Sequence, residues 1–528
     1  MTLQPETIQL ILLLLIAVFG SRAVLPLNRA HITHDARSTK LTLLACSLLI
    51  PITTVFRDPP AEGQLPLAVM NIALGSLWLL SILPTPPLAP TLRPAQDLTP
   101  DRLGKALLVA LFGCTLLVPQ AFIPFFILAH LLNQSKFRLV SITELQMPHT
   151  ISVLLCSAHA VSLLTPISPP VLLIALAATA GAHYVPSGLK KLRMDWDRLN
   201  RIGNIAIATR EQHNWAPIDR IPFARRLLTR TALLSQPAVI LIEVLAVFAF
   251  LDQRALLVLF PALIAMHLGI FLTTGICFWK WTIALLGIIV VSLLTAQHPA
   301  LAFDPINAVV AFCAASILPF AFPTIPTLAW YDAPIARRLT FTLHDGTRSA
   351  RISPYDLAPL DVILSQARHE CYFDRAPGSL DCFGACYERE PAVLLNALST
   401  DPDLSAEEKA DRARSILAAR GTTAFAKGIM QHECTTFITQ LRDNLTRRLA
   451  PSIYNHHIWN ALERADPDLL RSILAAEQPT LTVERELLFY CAASDRVLTL
   501  DTRTVRMTIQ PTQCRLLVAE APALGVAG

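Results

Sequence analysis

Residues 170–196 read PVLLIALAATAGAHYVPSGLKKLRMDW, a stretch that changes from almost wholly apolar to strongly basic within a few positions. The apolar part, 170–187, is close to the roughly 20 residues that an α-helix needs to cross the hydrocarbon core of a bilayer. Two adjacent lysines, Lys190 and Lys191, follow at the point where such a helix returns to water. The stretch therefore predicts a membrane-spanning helix with a basic boundary at its end.

The whole chain has the composition of a membrane protein. Of its 528 residues, 53% are hydrophobic and only 16% are charged, whereas about 25% of the residues in soluble domains are charged. The mean hydropathy is +0.48. The net charge of +5 is small and scattered, which argues against a nucleic-acid partner, and the 11 cysteines are too sparse for a disulfide scaffold. We interpret the chain as a polytopic membrane protein with membrane lipid around it.

Apolar runs long enough to span, or nearly so, recur through residues 1–335. They lie at 7–28, 41–56, 65–84, 104–132, 148–166, 170–187, 232–251, 255–274, 276–296 and 305–329. The fold class that they predict is an all-α transmembrane bundle of about 9–10 helices. Because the long run 104–132 contains Pro119 and Pro124, we expect it to kink or break.

The orientation of the bundle stays open. The loop 29–40 and the segment 188–231 are both rich in lysine and arginine, so the positive-inside rule places both in the cytoplasm. Five predicted helices separate the two segments, and an odd number would place them on opposite sides. Either one helix assignment is wrong or the second segment does not follow the rule.

Residues 336–528 have the pattern of a soluble α+β domain, with strands at both ends and helices between them. Alternation around Asp345-Gly346 predicts a hairpin over residues 339–352. Ser405 and Glu408 form a capping-box pattern at a helix start. The other predicted elements are a helix over 356–369, a helix stop at Gly421, and strands over 481–490, 496–509 and 514–520.

The lysine pair has two interpretations. A lysine next to hydrocarbon is costly to charge, so a buried Lys191 is able to act as a general base at neutral pH. Alternatively, both side chains extend to the lipid headgroups and anchor the helix, which is common for basic residues at a membrane boundary. Residue spacing favours the anchor.

Two patches of sequence resemble a known family. The pattern Tyr184-x-x-x-Gly188-x-Lys190-Lys191-x-x-x-Asp195-Trp196 resembles the Gly-x-Lys-Lys-Leu-Asp-x-Asp-Trp stretch of vitamin K-dependent gamma-carboxylases. It also resembles the wider bacterial set of horizontally transferred transmembrane (HTTM) domains. Further along, Glu243 and the run from His267 to Trp279 are similar to a later Glu…His…Gly-x-x-Phe signature of that domain. The resemblance covers roughly residues 5–330.

The resemblance implies a membrane-embedded enzyme, a lyase or an oxidoreductase, that works on a reduced, vitamin K-like quinone. By motif, Lys191 is the base that deprotonates the quinol. His149, in Pro148-His149-Thr150, is the closest match to a histidine that assists in the family. The remaining implied cofactor-binding residues are Lys190, Trp196, Glu243 and His267. The implied location is the bacterial inner membrane.

This sequence also departs from the family. Arg193 replaces the first acidic residue after the lysine pair, and Gly269 with apolar neighbours follows His267 where the animal enzymes have Asn-Ser-Gln. The tail is shorter than the large lumenal region that binds the substrate propeptide in the animal enzymes. These differences favour quinol-linked chemistry on a lipid-like small molecule over the carboxylation of a protein.

Two non-enzymatic alternatives remain at this stage. The chain could be a membrane scaffold, or a binding or transport protein for a small molecule, with a soluble interaction tail. In either case Glu243 and His267 satisfy one another inside the bundle, and His130 lies at the lipid interface. In the tail, the spacing of Cys371, Cys382, Cys386 and Cys434 fits zinc poorly and free core thiols better.

Overall fold

The computed structural model describes most of the helical segments and the C-terminal sheet. The described residues are 5–24, 64–83, 99–136, 141–194, 236–274, 278–295, 331–352, 385–386, 388–419, 466–494, 496–510 and 514–519, with seven positions between 434 and 445. They form two compact units. The helical unit contains the described residues up to 190 together with 238–268 and 278–295; the sheet unit contains those from 331 onward together with 191–194, 236–237 and 269–274.

Helices make up the described chain before residue 331. They are α1 Pro5–Val24, α2 Gln64–Ile82, α3 Thr99–Leu117, α4 Phe122–Lys136, α5 Ser141–Ser162, α6 Pro169–Ala182, α7 Val185–Arg193, α8 Gln236–Phe250, α9 Gln253–Thr274 and α10 Trp279–Thr295. The last part of α8, Ala246–Phe250, is a 3₁₀ helix. Within the part of the chain that the structure describes, three stretches are long and apolar enough to cross a membrane, namely Leu65–Ile82, Pro169–Arg193 and Gln253–Phe271. The predicted helices 41–56 and 305–329 lie outside the described residues.

Prolines break one predicted helix and lie inside another. The run 104–132 breaks as predicted, because α3 ends at Leu117 and a short 3₁₀ turn, Pro119–Ala121, precedes α4. Pro124 then falls in the first turn of α4, where a missing N–H group is tolerated. The run predicted to begin at 148 begins at Ser141 instead, and Pro148 lies inside α5. The residues between Ser141 and Pro148 include polar ones, so hydropathy did not predict that the helix begins before Pro148.

Apolar side chains cover the outside of the helical unit. Large exposed hydrophobic residues recur along α1, α2, α9 and α10, among them Ile8, Leu12, Leu15, Ile72, Leu80, Val258, Leu268, Val290 and Leu293. The same helices bury leucine and phenylalanine on their inner faces, so they are apolar on all sides. Helices of this kind are either completely enclosed by protein or surrounded by lipid.

Polar side chains lie inside the same unit. Asn71 of α2 donates to the carbonyl of Pro119 at 2.9 Å, and its side-chain oxygen lies 2.8 Å from Nε2 of His159 on α5. The indole of Trp78 donates to Ser152 at 3.0 Å, and Ser152 in turn donates to the carbonyl of Pro148 at 2.8 Å. These bonds connect α2 with the proline-altered backbone of its neighbours, which is how polar groups are tolerated in a nonpolar interior.

Small residues let α6 and α7 approach α8 closely. A Cβ atom added to Gly181 would lie 2.3 Å from the carbonyl oxygen of Ala246. One added to Gly188, seven residues later, would lie 2.8 Å from Val244 and 3.1 Å from the Cβ of Glu243. Glycine at the contact is a common device for bringing helix backbones together in membranes. The contact sets the position of Glu243 against the start of α7.

The sheet unit is built on a five-stranded antiparallel sheet with the strand order β3-β2-β5-β6-β7. Its strands are β2 Ile335–His344, β3 Ser349–Ile352, β5 Thr480–Cys491, β6 Arg496–Ile509 and β7 Cys514–Ala519, while β1 Tyr331–Asp332 pairs separately with β4 Ala385–Cys386. Three described helices accompany them: α11 Arg389–Thr400, α12 Ala406–Ala418 and α13 Pro467–Leu474.

Local sequence signals in this unit are confirmed. Asp345 and Gly346 form the β2–β3 turn, in which Gly346 has a φ of 95°. Ser405 and Glu408 form the expected capping box at the start of α12. The three predicted strands match β5, β6 and β7 to within one residue at each end. The predicted helix over 356–369 and the stop at Gly421 lie outside the described residues.

Two hydrophobic clusters lie along the β5–β6 pair. Leu481 and Val483 of β5 pack with α13, whereas Phe489 and Cys491 pack with α11 and α12. Between the two clusters the β5–β6 register shifts at Leu487/Leu488. The irregularity gives β6 an additional residue, Leu500, which is buried in the second cluster. A β-bulge thus allows one long strand pair to serve two cores.

Candidate functional site

The junction between α6 and α7 carries the first group of candidate residues. Helix α6 ends at Ala182, yet helical hydrogen bonding continues, because the amide of Tyr184 donates to Gly181 at 3.0 Å and that of Gly188 donates to Tyr184 at 3.1 Å. Pro186 is tolerated in the first turn of α7. The junction therefore holds Tyr184 at a fixed position in the interior.

Glu243 reaches this junction from α8. Its side chain is buried, and the hydroxyl of Ser187 lies 3.4 Å from its Oε1 atom in a donating arrangement. The distance is at the long end for such a bond. The glycine contact at Gly188 brings the α8 backbone close enough for this carboxylate to lie next to α7. Glu243 is thus a buried ionisable residue at a helix–helix contact.

His267 reaches the same junction from α9. Its Nε2 atom lies 3.4 Å from the hydroxyl of Tyr184, and the two rings stack with centroids 5.7 Å apart. On its other side His267 stacks against Phe278 at 5.0 Å. The indole of Trp281 lies edge-on to both His267 and Tyr184. The structure therefore brings Glu243 and His267, which are 24 positions apart in sequence, to one short stretch of chain at Tyr184–Gly188.

The opposite ends of α9 and α10 fix this arrangement. Gln253 at the start of α9 donates to the carbonyl of Ser292 near the end of α10 at 2.7 Å. His267 near the end of α9 contacts Trp281 near the start of α10. The two helices therefore run antiparallel.

These groups are suited to moving protons. A phenol, an imidazole and a carboxylate together supply both donors and acceptors. All three side chains are buried, at 3% exposure for Tyr184, 4% for Glu243 and 5% for His267. Proton transfer between positioned groups in a water-poor site is the usual work of such residues, and ionisable groups at membrane depth mark functional sites more often than other residues do.

The lysine pair divides into one buried and one half-buried side chain. Lys191 is 6% exposed, although Leu189 and Leu192 on the same helix are 42% and 53% exposed. Lys190 is half-buried. A helix that buries a lysine and exposes two leucines has the polarity expected of a lipid-facing segment. Trp196, the other residue carried over with this pair, lies outside the described residues.

His149 lies with a different set of side chains. Its Nε2 atom is 3.1 Å from Nδ1 of His130 on α4. The prediction that His130 lies exposed at a lipid interface is wrong, since it is buried and bonded inside the unit. Position near a helix end suggested exposure, but the pairing with α5 turns this side chain inward.

Sequence reasoning gave no site role to two residues near the junction. Lys280 is buried at the start of α10, with its ammonium 5.8 Å from the centroid of the Trp279 ring. Trp281 contacts His183 as well as Tyr184 and His267. The signal was present in the sequence, because Trp279-Lys280-Trp281 places a cation between two aromatic residues at the start of an apolar run.

Two of the four tail cysteines that were considered as zinc ligands, Cys386 and Cys434, lie among the described residues. Among the described residues, no group of three or more histidine, cysteine, aspartate or glutamate side chains is arranged to bind a metal ion. Cys434 is buried in the core of the sheet unit, and the backbone of Cys386 lies in β4. Cys371 and Cys382 lie outside the described part of the chain.

Comparisons with protein-family models, with curated proteins and with solved structures found no match.

Proposed function

We propose that this chain is a multi-pass integral membrane protein of the bacterial inner membrane that transfers protons to and from a quinol-like lipid. The reversed polarity of the helical unit is the observation that carries the proposal. Leucine and valine face outward, while Tyr184, Glu243 and His267 converge in the interior. A lipid-like substrate enters such a protein from the bilayer, and buried ionisable groups act on its polar head.

In this proposal Lys191 is the base that removes a proton from the quinol hydroxyl, a role that rests on the HTTM and gamma-carboxylase resemblance. Glu243 and His267 bind the head group next to Tyr184, and Lys190 and Trp196 complete the binding set. Oxidation of the quinol, or a carboxylation linked to it, is the class of reaction that follows.

The test compares two substitutions of the same lysine. Arginine keeps the positive charge but is not a base near neutral pH. Alanine removes both the charge and the amine that acts as a base. Purified wild type, Lys191→Arg and Lys191→Ala are reconstituted in proteoliposomes with menaquinol under oxygen and bicarbonate, and quinone and epoxide are measured by chromatography. The proposal predicts that both variants lose turnover. An active Lys191→Arg protein would mean that the residue is only an anchor.

A second candidate is a non-enzymatic membrane protein that binds a lipid-like molecule. The packing of His267 between the rings of Tyr184 and Phe278 favours it, since a stacked imidazole is well satisfied without a substrate. This candidate predicts that menaquinone quenches the fluorescence of the protein's tryptophans in a saturable way while no menaquinol is consumed. Turnover by the wild type would exclude it.

A further inference from the structure

We infer that His130 and His149 form a proton relay that connects the interior of the helical unit with the polar ends of α4 and α5. The inference rests on the proposed function in one respect, namely that a proton is released inside this unit. The pair itself stands on geometry. Nε2 of His149 and Nδ1 of His130 face each other at 3.1 Å, which is hydrogen-bonding distance for one N–H group and one bare nitrogen.

Aromatic side chains surround the pair. The ring of Phe126 lies 5.3 Å from that of His149 and 6.1 Å from that of His130, and Trp78 stands edge-on to His149 at 6.5 Å. These rings limit the access of water to the shared hydrogen bond, which is partly buried. Direct transfer from ring to ring is therefore favoured over a path through water.

The inner end of the relay is directed toward the candidate site. The imidazole of His149 interacts electrostatically with that of His183 as well as with that of His130. His183 directly precedes Tyr184 and stands edge-on to Trp281, which also contacts Tyr184. His183, the residue before Tyr184, is therefore the imidazole on the α6–α7 side that acts electrostatically on His149.

The outer end lies toward the polar ends of two helices. His130 is six residues before Lys136, the last residue of α4, and His149 is eight residues after Ser141, the first residue of α5. At about 1.5 Å per residue these are distances of about 9 and 12 Å along the helix axes. The sequence 133–144 contains Asn, Gln, Lys, Arg and Glu, so water is expected at this end.

The transfer balances without any further reactant. His149 takes a proton at Nδ1 and gives the proton on Nε2 to Nδ1 of His130. His130 then releases its own Nε2 proton toward the polar helix ends. This transfer leaves both imidazoles protonated on Nδ1, so each ring must reorient to its starting hydrogen-bonded form before a second proton follows. Two charged rings this close repel one another, so the pair carries at most one extra proton at a time.

A third histidine on α5 provides an internal contrast. His159 also makes one buried hydrogen bond, with Nε2 lying 2.8 Å from Oδ1 of Asn71. The amide nitrogen of Asn71 donates to Pro119, so its oxygen accepts, and His159 must keep its proton on Nε2. An amide oxygen does not take up this proton at neutral pH. His159 is therefore fixed in one tautomer, whereas the His130–His149 pair is able to exchange.

The first experiment needs no enzymatic activity. The full chain is labelled with ¹⁵N-histidine, placed in lipid bilayers and studied by solid-state NMR, with His130→Gln and His149→Gln used to assign the signals. A relay predicts that Nε2 of His149 and Nδ1 of His130 give shifts averaged between protonated and bare nitrogen. His159 should show two fixed, well-separated shifts. Fixed shifts for all three residues would overturn the relay.

The second experiment uses menaquinol turnover in proteoliposomes. His130→Gln should lower kcat by about 10²-fold, the lower end of what positioned acid–base groups contribute, with KM unchanged. Added imidazole should restore part of the rate, because it supplies the missing proton carrier. His159→Gln serves as the matched variant and should show no imidazole rescue. A His130→Gln protein with the wild-type rate would contradict the relay.

The NMR and turnover experiments together distinguish a failure of the proposed function from a failure of the relay. If the wild type does not consume menaquinol, the proposed function fails, while the NMR result still decides whether the pair exchanges a proton. If the wild type is active but the histidine shifts are fixed and His130→Gln is unaffected, only the relay fails.

Discussion

The helical unit and the sheet unit place polar and apolar side chains in opposite ways. In the sheet unit, Leu481 and Val483 of β5 are buried, while threonine and arginine residues of the neighbouring strands are more exposed. In the helical unit, leucine and valine are exposed, and Glu243, His267 and Lys280 are buried. The first arrangement is the one that water imposes. The second is the one that the proposed lipid surroundings predict.

The one strongly buried arginine described in the sheet unit fits this comparison. Arg485 donates to Asp501 at 2.9 Å, and Arg503, directly opposite on β6, also bonds Asp501 at 3.2 Å. In a unit with an aqueous exterior, a charge reaches the interior together with its counter-ion.

The difference between the two units is tested most directly by placing a charge on the exterior of the helical unit and on that of the sheet unit. Val258, which is 68% exposed on α9, is changed to Asp in one variant, and the exposed Thr502 of β6 is changed to Asp in another. An aspartate in the middle of a spanning helix costs about 2.5–3.5 kcal/mol of insertion free energy. Val258→Asp should therefore sharply reduce the protein recovered in carbonate-washed membranes, and Thr502→Asp should not. Equal recovery of the two variants would refute the lipid exposure of α9.

A smaller effect is expected from the helix contact at Gly181. Gly181→Ala would place a Cβ atom 2.3 Å from the carbonyl of Ala246, so α6 and α8 must move apart. Overpacking of this kind costs about 1–3 kcal/mol, and the melting temperature in detergent should fall. Gly113→Ala on α3 is the control, because nothing lies within 4 Å of its Cβ position. Helix propensity favours that change by up to about 1 kcal/mol.

The capping box of α12 gives a finer test on the sheet side. The hydroxyl of Ser405 accepts the amide of Glu408 at 3.2 Å, and the Glu408 carboxylate accepts the amide of Ser405 at 2.9 Å. Ser405→Ala should lower the stability of α12 by about 1 kcal/mol, measured as faster amide hydrogen exchange. Ser415→Ala in the same helix removes only a bond to the carbonyl of Asp411 and should slow the exchange slightly. If Ser415→Ala instead accelerated exchange more than Ser405→Ala, the capping box would not be what stabilises the start of α12.

The smallest expected effect is a pH dependence at the β2–β3 turn. The backbone amide of Arg348, followed by its guanidinium and the amide and hydroxyl of Thr347, donates to Asp345 and lowers the pKa of its carboxyl well below the usual range. A lowered folded-state pKa adds stability that is complete above the unfolded-state pKa of about 3.9 and is lost as pH falls through the folded value.

The protection factors of the β2–β3 amides, corrected for the intrinsic pH dependence of exchange, should therefore fall below about pH 4 in the wild type. In Asp345→Asn the turn should be weaker at neutral pH and this fall should be smaller. If the acid response is unchanged in the variant, other carboxylates are responsible for that response. The carboxyl of Glu408 is the described group to compare with that of Asp345, because its pKa is also lowered, mainly by the backbone amide of Ser405.

The parts of the structure that sequence predicted are those encoded by neighbouring residues. Asp345-Gly346 and Ser405…Glu408 act within four positions, and both formed the predicted turn and cap. Strand alternation likewise set the bounds of β5 and β6 to within a residue. These signals are local, so one chain segment contains all the information that they need.

The interior of the helical unit was less predictable because its helices are apolar on every side. Such helices carry no stripe that identifies the inward face, and the spacing along one helix does not say which helix lies opposite. The Tyr184–His267 and His130–His149 contacts join residues 83 and 19 positions apart. Glu243 and His267 were selected by resemblance, and their role in a site is still a prediction.

The pairing of β2 with β5 has a consequence during synthesis. His344 of β2 pairs with Thr480, and Ile335 pairs with Phe489, so one long edge of β2 has no partner until well over one hundred further residues exist. At about 5–20 residues per second, a ribosome needs on the order of ten seconds or more to make them. During that interval β2 and β3 form a two-stranded hairpin, which is marginal by itself. The adjacent charges Arg337 and Arg338 then discourage the waiting edge from pairing with other nascent chains.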